Sequence, residues 1–362
     1  MSLCVLFLVE AVSCLNRSAK FPLASKLAFQ FDSNDTWIEN IAVRQNGDLL
    51  LTLAAPSGNL FLLQNPTAPQ PNLVPLFAFP TNTTNGIVET RPDTFVVIAE
   101  NISQSGDPAN GVRGTDQVWE VTLLSSATDP PGVVARKIAD MPDAPRLNGA
   151  AAVPNTTAVL LGDSQLGAAF RLDTATGRYT QAFRLPEMAP VPGANSSDDA
   201  LGINGMKIPG DGFLYFSNAA SRTMYRTPIT PDGFPPPPAN NNNNNNSNNP
   251  VETIARIPDV PWLDDFAVRP SDGSIFLTGS TGNVLLFIRR IESGGYAAPV
   301  VVAGAVDQLT LATCTAAVFG RSAAVGTTTT TLFVTTGGGQ GAPVNGTVIE
   351  PAKVMAIDTS GL

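Results

Sequence analysis

The chain contains no histidine. Imidazole is the commonest general base, proton shuttle and transition-metal ligand, so its absence removes Ser-His-Asp and Cys-His catalysis and every histidine-ligated zinc or iron site. Cysteine is nearly as scarce: Cys4, Cys14 and Cys314 provide neither a disulfide framework nor a thiolate cluster. Charged residues are only 14% of the chain, and the formal net charge is -9. That leaves no basic surplus to neutralise phosphates and argues against a nucleic-acid partner. No apolar run is long enough to span a bilayer. What remains for chemistry is a set of carboxylates, amides, hydroxyls and aromatic faces, together with any cation that oxygen ligands would hold.

Residues 1–19 read as either a signal peptide or another N-terminal leader. The apolar stretch at 3–15 has the length of a signal core, but it carries Glu10 and lacks a basic start. Sequons at Asn16, Asn34, Asn82, Asn101, Asn155, Asn195, Asn245 and Asn345 favour the secretory pathway, an extracellular destination and N-glycosylation. Chance sequons in an Asn- and Thr-rich chain would leave the protein cytoplasmic. Residues 20–362 read as a single domain. Within it, 235–250, a proline run followed by asparagines, has nothing apolar to bury and reads as a mobile rim loop.

Glycine and proline number 31 each in 362 residues, which leaves mostly short runs and an all-β composition. Those runs repeat. A polar anchor precedes a short apolar strand at Glu39, Asn85, Asn148, Asn204, Asp264 and, with a thiol, Cys314. Turns such as Asn46-Gly47-Asp48 and Ser271-Asp272-Gly273 follow, then second, third and fourth strands. Four antiparallel strands repeated six times define a six-bladed β-propeller. The last unit lacks a fourth strand, and the orphan segment Lys26–Phe31 is placed to supply it, closing the ring.

The first strand of each blade lines a propeller's central channel, so the six anchors should converge on one mouth. Their oxygens suit a hard cation such as calcium; the plainer alternative is that they hydrogen-bond turns. Glu39, Asp264 and Asp265 are the candidate catalytic carboxylates. Trp37, Met206, Trp262 and Phe266 flank the anchors and offer an apolar wall for a small molecule, the alternative for each being inter-blade core. With Asn85, Asn148, Asn204 and Cys314 they make up the candidate substrate-binding set. Without an imidazole to activate it, Cys314 also reads as a buried structural thiol.

The pairs Asn148-Gly149 and Asn204-Gly205, with Glu39 and Asp264, resemble the motifs of regucalcin, gluconolactonase and related six-bladed propellers. That resemblance implies a divalent cation held by Glu39, Asn148, Asn204 and Asp264. Two pairs depart from it, Glu39-Asn40 and Asp264-Asp265. Trp262-Leu263-Asp264-Asp265-Phe266-Ala267, Thr315–Gly320 and Leu332–Gly338 look more like a fungal subgroup. Its understood members are hetero-Diels-Alderases of tropolone sesquiterpenoid biosynthesis. This second resemblance implies a secondary-metabolite enzyme that joins a tropolone quinone methide to a humulene-type alkene, forming the dihydropyran of a meroterpenoid without a required cofactor. The alternatives are a divalent-metal-dependent lactonase and a non-catalytic ligand-binding propeller.

Overall fold

The computed structural model describes residues 20–103, 111–124, 130–192, 200–237, 251–322 and 327–362. The leader, the sequons at Asn16, Asn195 and Asn245, and most of the Asn-rich loop lie outside the described residues. Strands form six four-stranded antiparallel sheets. From the axis outward, blade 1 holds Trp37–Val43, Leu49–Ala55, Asn59–Gln64 and Asn72–Ala78. Blade 2 holds Thr83–Arg91, Thr94–Glu100, Gln117–Leu123 and Val133–Asp140; blade 3 holds Leu147–Ala152, Ala158–Asp163, Ala168–Asp173 and Tyr179–Phe183. Blade 4 holds Ile203–Lys207, Phe213–Asn218, Thr223–Pro228 and Glu252–Arg256; blade 5 holds Phe266–Val268, Ile275–Gly279, Val284–Ile288 and Val300–Gly304. Blade 6 holds Cys314–Arg321, Thr328–Thr336 and Lys353–Asp358, and its fourth strand is Ser25–Gln30. The last pairs antiparallel with Lys353–Asp358, so the ring closes through the N-terminal strand as the sequence implied.

Burial falls from the axis outward, and residue choice follows it. Second strands such as Thr94–Glu100 and Ala158–Asp163 are buried on both faces and read as continuous apolar runs. Fourth strands such as Val133–Asp140 are largely exposed and mix charged with apolar residues. Six apolar clusters fill the six gaps between neighbouring blades. Met206 packs between blades 3 and 4 and Phe266 between blades 4 and 5, both fully buried.

The inner strands are interrupted where the anchors stand. Their pairing register shifts between Thr84 and Ile87, Leu147 and Ala150, Ile203 and Met206, and Cys314 and Ala317. A bulge releases its residues from the ladder and re-aims them, here toward the axis. Around that axis, side chains donate to inner-strand carbonyls of the next blade. Thr52 bonds Asn85 O (2.7 Å), Asn85 bonds Leu147 O (2.7 Å) and Ser164 bonds Ile203 O (2.5 Å). Ser217 bonds Asp264 O (2.7 Å), Thr278 bonds Thr315 O (3.1 Å) and Thr315 bonds Ile38 O (2.8 Å). The circle passes every blade boundary.

The same convergence explains the Asn-Gly pairs. A Cβ on Gly86 would lie 2.3 Å from Asn148 O, and one on Gly149 would lie 2.1 Å from Asn204 O. One on Gly205 would lie 2.6 Å from the Asp265 Cα. Backbone cannot yield as a flexible side chain does, so Gly149→Ala is expected to cost about 3 kcal/mol. Denaturant unfolding checks this against Gly361→Ala, whose added methyl meets nothing within 4 Å and should leave stability unchanged.

Candidate active site

At the anchor end of the channel the structure gathers buried carboxyl groups. Glu39, Glu100, Asp116, Asp163 and Asp264 are all buried. Burial is the leading cause of a raised pKa in each. It pushes Glu39 up to about 7, against the pull of the Arg146 guanidinium and the Trp37 N–H. Asp116 rises to about 8 and Asp163 to about 6. Glu100 is raised as well, and Asp264 lies well above the carboxylate range, with Glu39 and Asp265 adding repulsion. These acids hold protons at pH values where exposed carboxylates have lost them.

Each is placed by local structure. Trp37 Nε1 donates to Glu39 Oε2 at 2.8 Å. The indole rests on the Gly337–Gly341 turn, where a Cβ on either of those glycines would come within 2.8 or 2.9 Å of the ring. That turn therefore seats Trp37. Glu100 and Asp163 end the second strands of blades 2 and 3, and Arg146, two residues before Asn148, brings Nη1 to 3.5 Å from Glu100 Oε1. Asn85 donates to Glu100 and to Leu147 O.

Several buried polar atoms here make no hydrogen bond: Asn204 Oδ1, Glu100 Oε2, Asp116 Oδ2, and Nε and Nη1 of Arg146. Orphaned buried groups are costly and gather where a ligand or ion completes them. Asn204 donates its amide to Asp264 and keeps Oδ1 free. With the Glu39 and Asp264 carboxylates, that oxygen fits a hard divalent cation. Among the described residues no three Asp, Glu or Cys side chains are grouped to hold a metal by themselves, so the amide oxygen is needed.

The residues proposed from sequence separate into three groups. Glu39, Asp264 and Asn204 lie together, Asn85 joins them through Glu100, and Asn148 is buried beside Gly86. Trp37 bonds Glu39, and Trp262 is half-buried. Met206, Phe266 and Cys314, the last an anchor by position, instead fill blade cores. The Cys314 Sγ donates to Val284 O at 3.2 Å, and burial raises its pKa far above the thiol range. Asp265 accepts hydrogen bonds from Lys207 Nζ (2.5 and 2.7 Å), Asn40 Nδ2 (3.1 Å) and the Phe266 N–H (2.7 Å). With these bonds both carboxylate oxygens of Asp265 are occupied as acceptors. Ser164 and Ser217 stitch blades, and Asn218 bonds Glu187 O and Ala189 O.

Sequence reasoning missed Glu100, Arg146, Asp116, Asn40 and Lys207. Glu100 was recoverable, because it stands where Asp163 and Asn218 stand, at the end of a second strand.

No family model matches the chain. It is 29% identical over 319 residues to a protein of Phoma sp. named "Putative hetero-Diels-Alderase", covering 83% of this chain and 84% of that one. It is 28% identical over 328 residues to a like-named protein of Sarocladium schorii, covering 84% and 77%. Both matches bear out the resemblance read from the motifs. Among solved structures, a luciferin-regenerating enzyme superposes with a TM-score of 0.60 at 12% identity, covering 94% of this chain and 96% of that one. A calcium-binding regucalcin of Agrobacterium tumefaciens gives 0.57 at 14%, again covering 94% and 96%. At these identities the likeness is one of fold, the six-bladed regucalcin-like propeller.

Because the folded state raises the Glu39 pKa, it binds that proton more tightly than the unfolded chain between about pH 4.5 and 7. Stability should fall as pH rises through this window. Glu39→Gln should flatten the slope, gaining about 2 kcal/mol relative to wild type between pH 5 and 8, as read by urea unfolding at each pH. An unchanged slope would contradict the assignment.

Proposed function

We propose that this chain is a hetero-Diels-Alderase that joins a tropolone quinone methide to a humulene-type alkene, forming a dihydropyran. The observation that carries this is the Glu39 carboxyl group, buried and bonded to Trp37 Nε1 at 2.8 Å, whose burial pushes its pKa up to about 7. The names of the two fungal relatives supply the reaction class.

The heterodiene contributes four π electrons and the alkene two. One C–C and one C–O bond form, and no atom is lost. Lowering the barrier therefore requires holding the partners together and polarising the heterodiene oxygen. The unbonded Arg146 N–H groups and the Glu39 proton are donors for that oxygen. If the quinone methide arises from a hydroxymethyl tropolone, Glu39 protonates the hydroxyl as its C–O bond breaks, water leaves, and the tropolone O–H proton restores Glu39. No imidazole is needed.

The test separates these two steps. With hydroxymethyl precursor, the wild-type rate should fall as pH rises through about 7. Glu39→Gln should lose about a hundredfold or more. With quinone methide generated chemically, Glu39→Gln should keep most of its cycloaddition rate, because glutamine still donates a hydrogen bond. Equal losses in both assays would remove Glu39 from the dehydration step. No protein-dependent adduct in either would overturn the reading.

A second reading, a divalent-metal-dependent lactonase, is favoured by the orphaned Asn204 Oδ1 beside Asp264. Glu39, Asn148, Asn204 and Asp264 would hold the cation, which would polarise a lactone carbonyl. Stoichiometric calcium by elemental analysis, with lactone hydrolysis that EDTA abolishes, would favour it. Entry to the secretory pathway is also proposed: Asn34, Asn155 and Asn345 are exposed sequons, whereas the Asn82 side chain is bonded at both ends to Ile102.

A further inference from the structure

The channel has a second mouth. A cavity of about 1080 Å³ opens at the opposite end, where the inner strands of blades 2 to 5 run into their turns. This is the upper range for small-molecule sites. Apolar residues such as Val88, Ala150, Ile208 and Val268 line it together with charged ones, among them Glu89, Arg91 and Asp211. Its one amine is that of Lys207. None of the acids gathered at the anchor end lines it.

Lys207 is set there with care. Its side chain is 32% exposed, while its partner Asp265 is 5% exposed. Two Nζ–H bonds go to the Asp265 carboxylate, and the ammonium stands 5.3 Å from the Phe266 ring centroid. An ammonium has three N–H donors, so one remains for a molecule in the cavity. Asn40 and the Phe266 N–H fix Asp265 from behind, so the amine is held in place before a ligand arrives. On the rim, Arg269 pairs with Asp272 and Arg290 with Asp211. Lys207 too is paired with a carboxylate, through two of its three N–H donors.

We propose that this cavity is a second binding site, taking an apolar ring compound that carries one acidic oxygen, with that oxygen on Lys207 Nζ. A preorganised ammonium in a partly desolvated cavity favours the ionised form of such a ligand. Identifying the natural ligand with the tropolone partner rests on the cycloaddition reading; the site itself does not.

The probe is tropolone alone, whose near-ultraviolet absorption reports its ionisation. Titrated with wild-type protein at a pH where free tropolone is part ionised, it should bind saturably and shift toward the anion spectrum. Lys207→Gln should weaken binding at least tenfold and abolish the shift. Ala152→Trp, which fills the cavity without touching Lys207, should also weaken binding at least tenfold, and its thermal unfolding verifies that it is folded. Absence of saturable binding to wild type would overturn the proposal, as would retained binding in either variant. No terpene and no turnover are involved, so failure of the cycloaddition assay leaves this result intact, and failure here leaves the reaction at the anchor end untouched.

Discussion

The interaction on which the rest depends is the circle of side-chain-to-carbonyl hydrogen bonds around the axis. Each member is worth about 1 kcal/mol net, which is modest beside the six apolar clusters between the blades. Its consequence is positional. Because Thr52, Asn85, Ser164, Ser217, Thr278 and Thr315 each reach a carbonyl of the next blade, the inner strands approach closely enough that Gly86 and Gly149 tolerate no side chain. The bulges that open the ladder at those points leave the anchors facing the channel.

Close approach also creates the electrostatic character of the site. Acids on different blades are brought together in buried positions, and charging them all would cost more than the local cations return. The protein answers by keeping protons on several of them, Glu39 among them, and by leaving Arg146 incompletely bonded. Such groups cost stability and are retained where they serve binding or chemistry. Asp265 shows the contrast: saturated by Lys207, Asn40 and a backbone N–H, it acts as a clamp. The channel thus carries proton-bearing acids toward one mouth and a fixed ammonium toward the other.

Most of the fold was legible in the sequence because repetition exposes it. The anchor, turn and second strand recur in each blade, and the unpartnered segment at Lys26–Phe31 matched the vacancy in the last blade. The fourth strands Tyr179–Phe183 and Val300–Gly304 were not legible, since their mixed exposure erases alternation. The site was legible by position and less so by role. Glu39, Asn204 and Asp264 met as the repeat implied, but Met206 and Phe266 went into blade cores. Whether a residue beside an anchor faces the axis depends on bulge geometry, and spacing alone does not encode it. Arg146 and Lys207 belong to no repeat position that carries charge elsewhere, so nothing in the pattern marked them.

The central claim is that this channel directs a cycloaddition. The most direct measurement is the stereochemical composition of the dihydropyran formed from chemically generated quinone methide and a humulene-type alkene, with and without protein. A chiral, preorganised channel that holds both partners predicts a faster reaction and one predominant enantiomer. A racemic adduct formed at the uncatalysed rate would contradict the account.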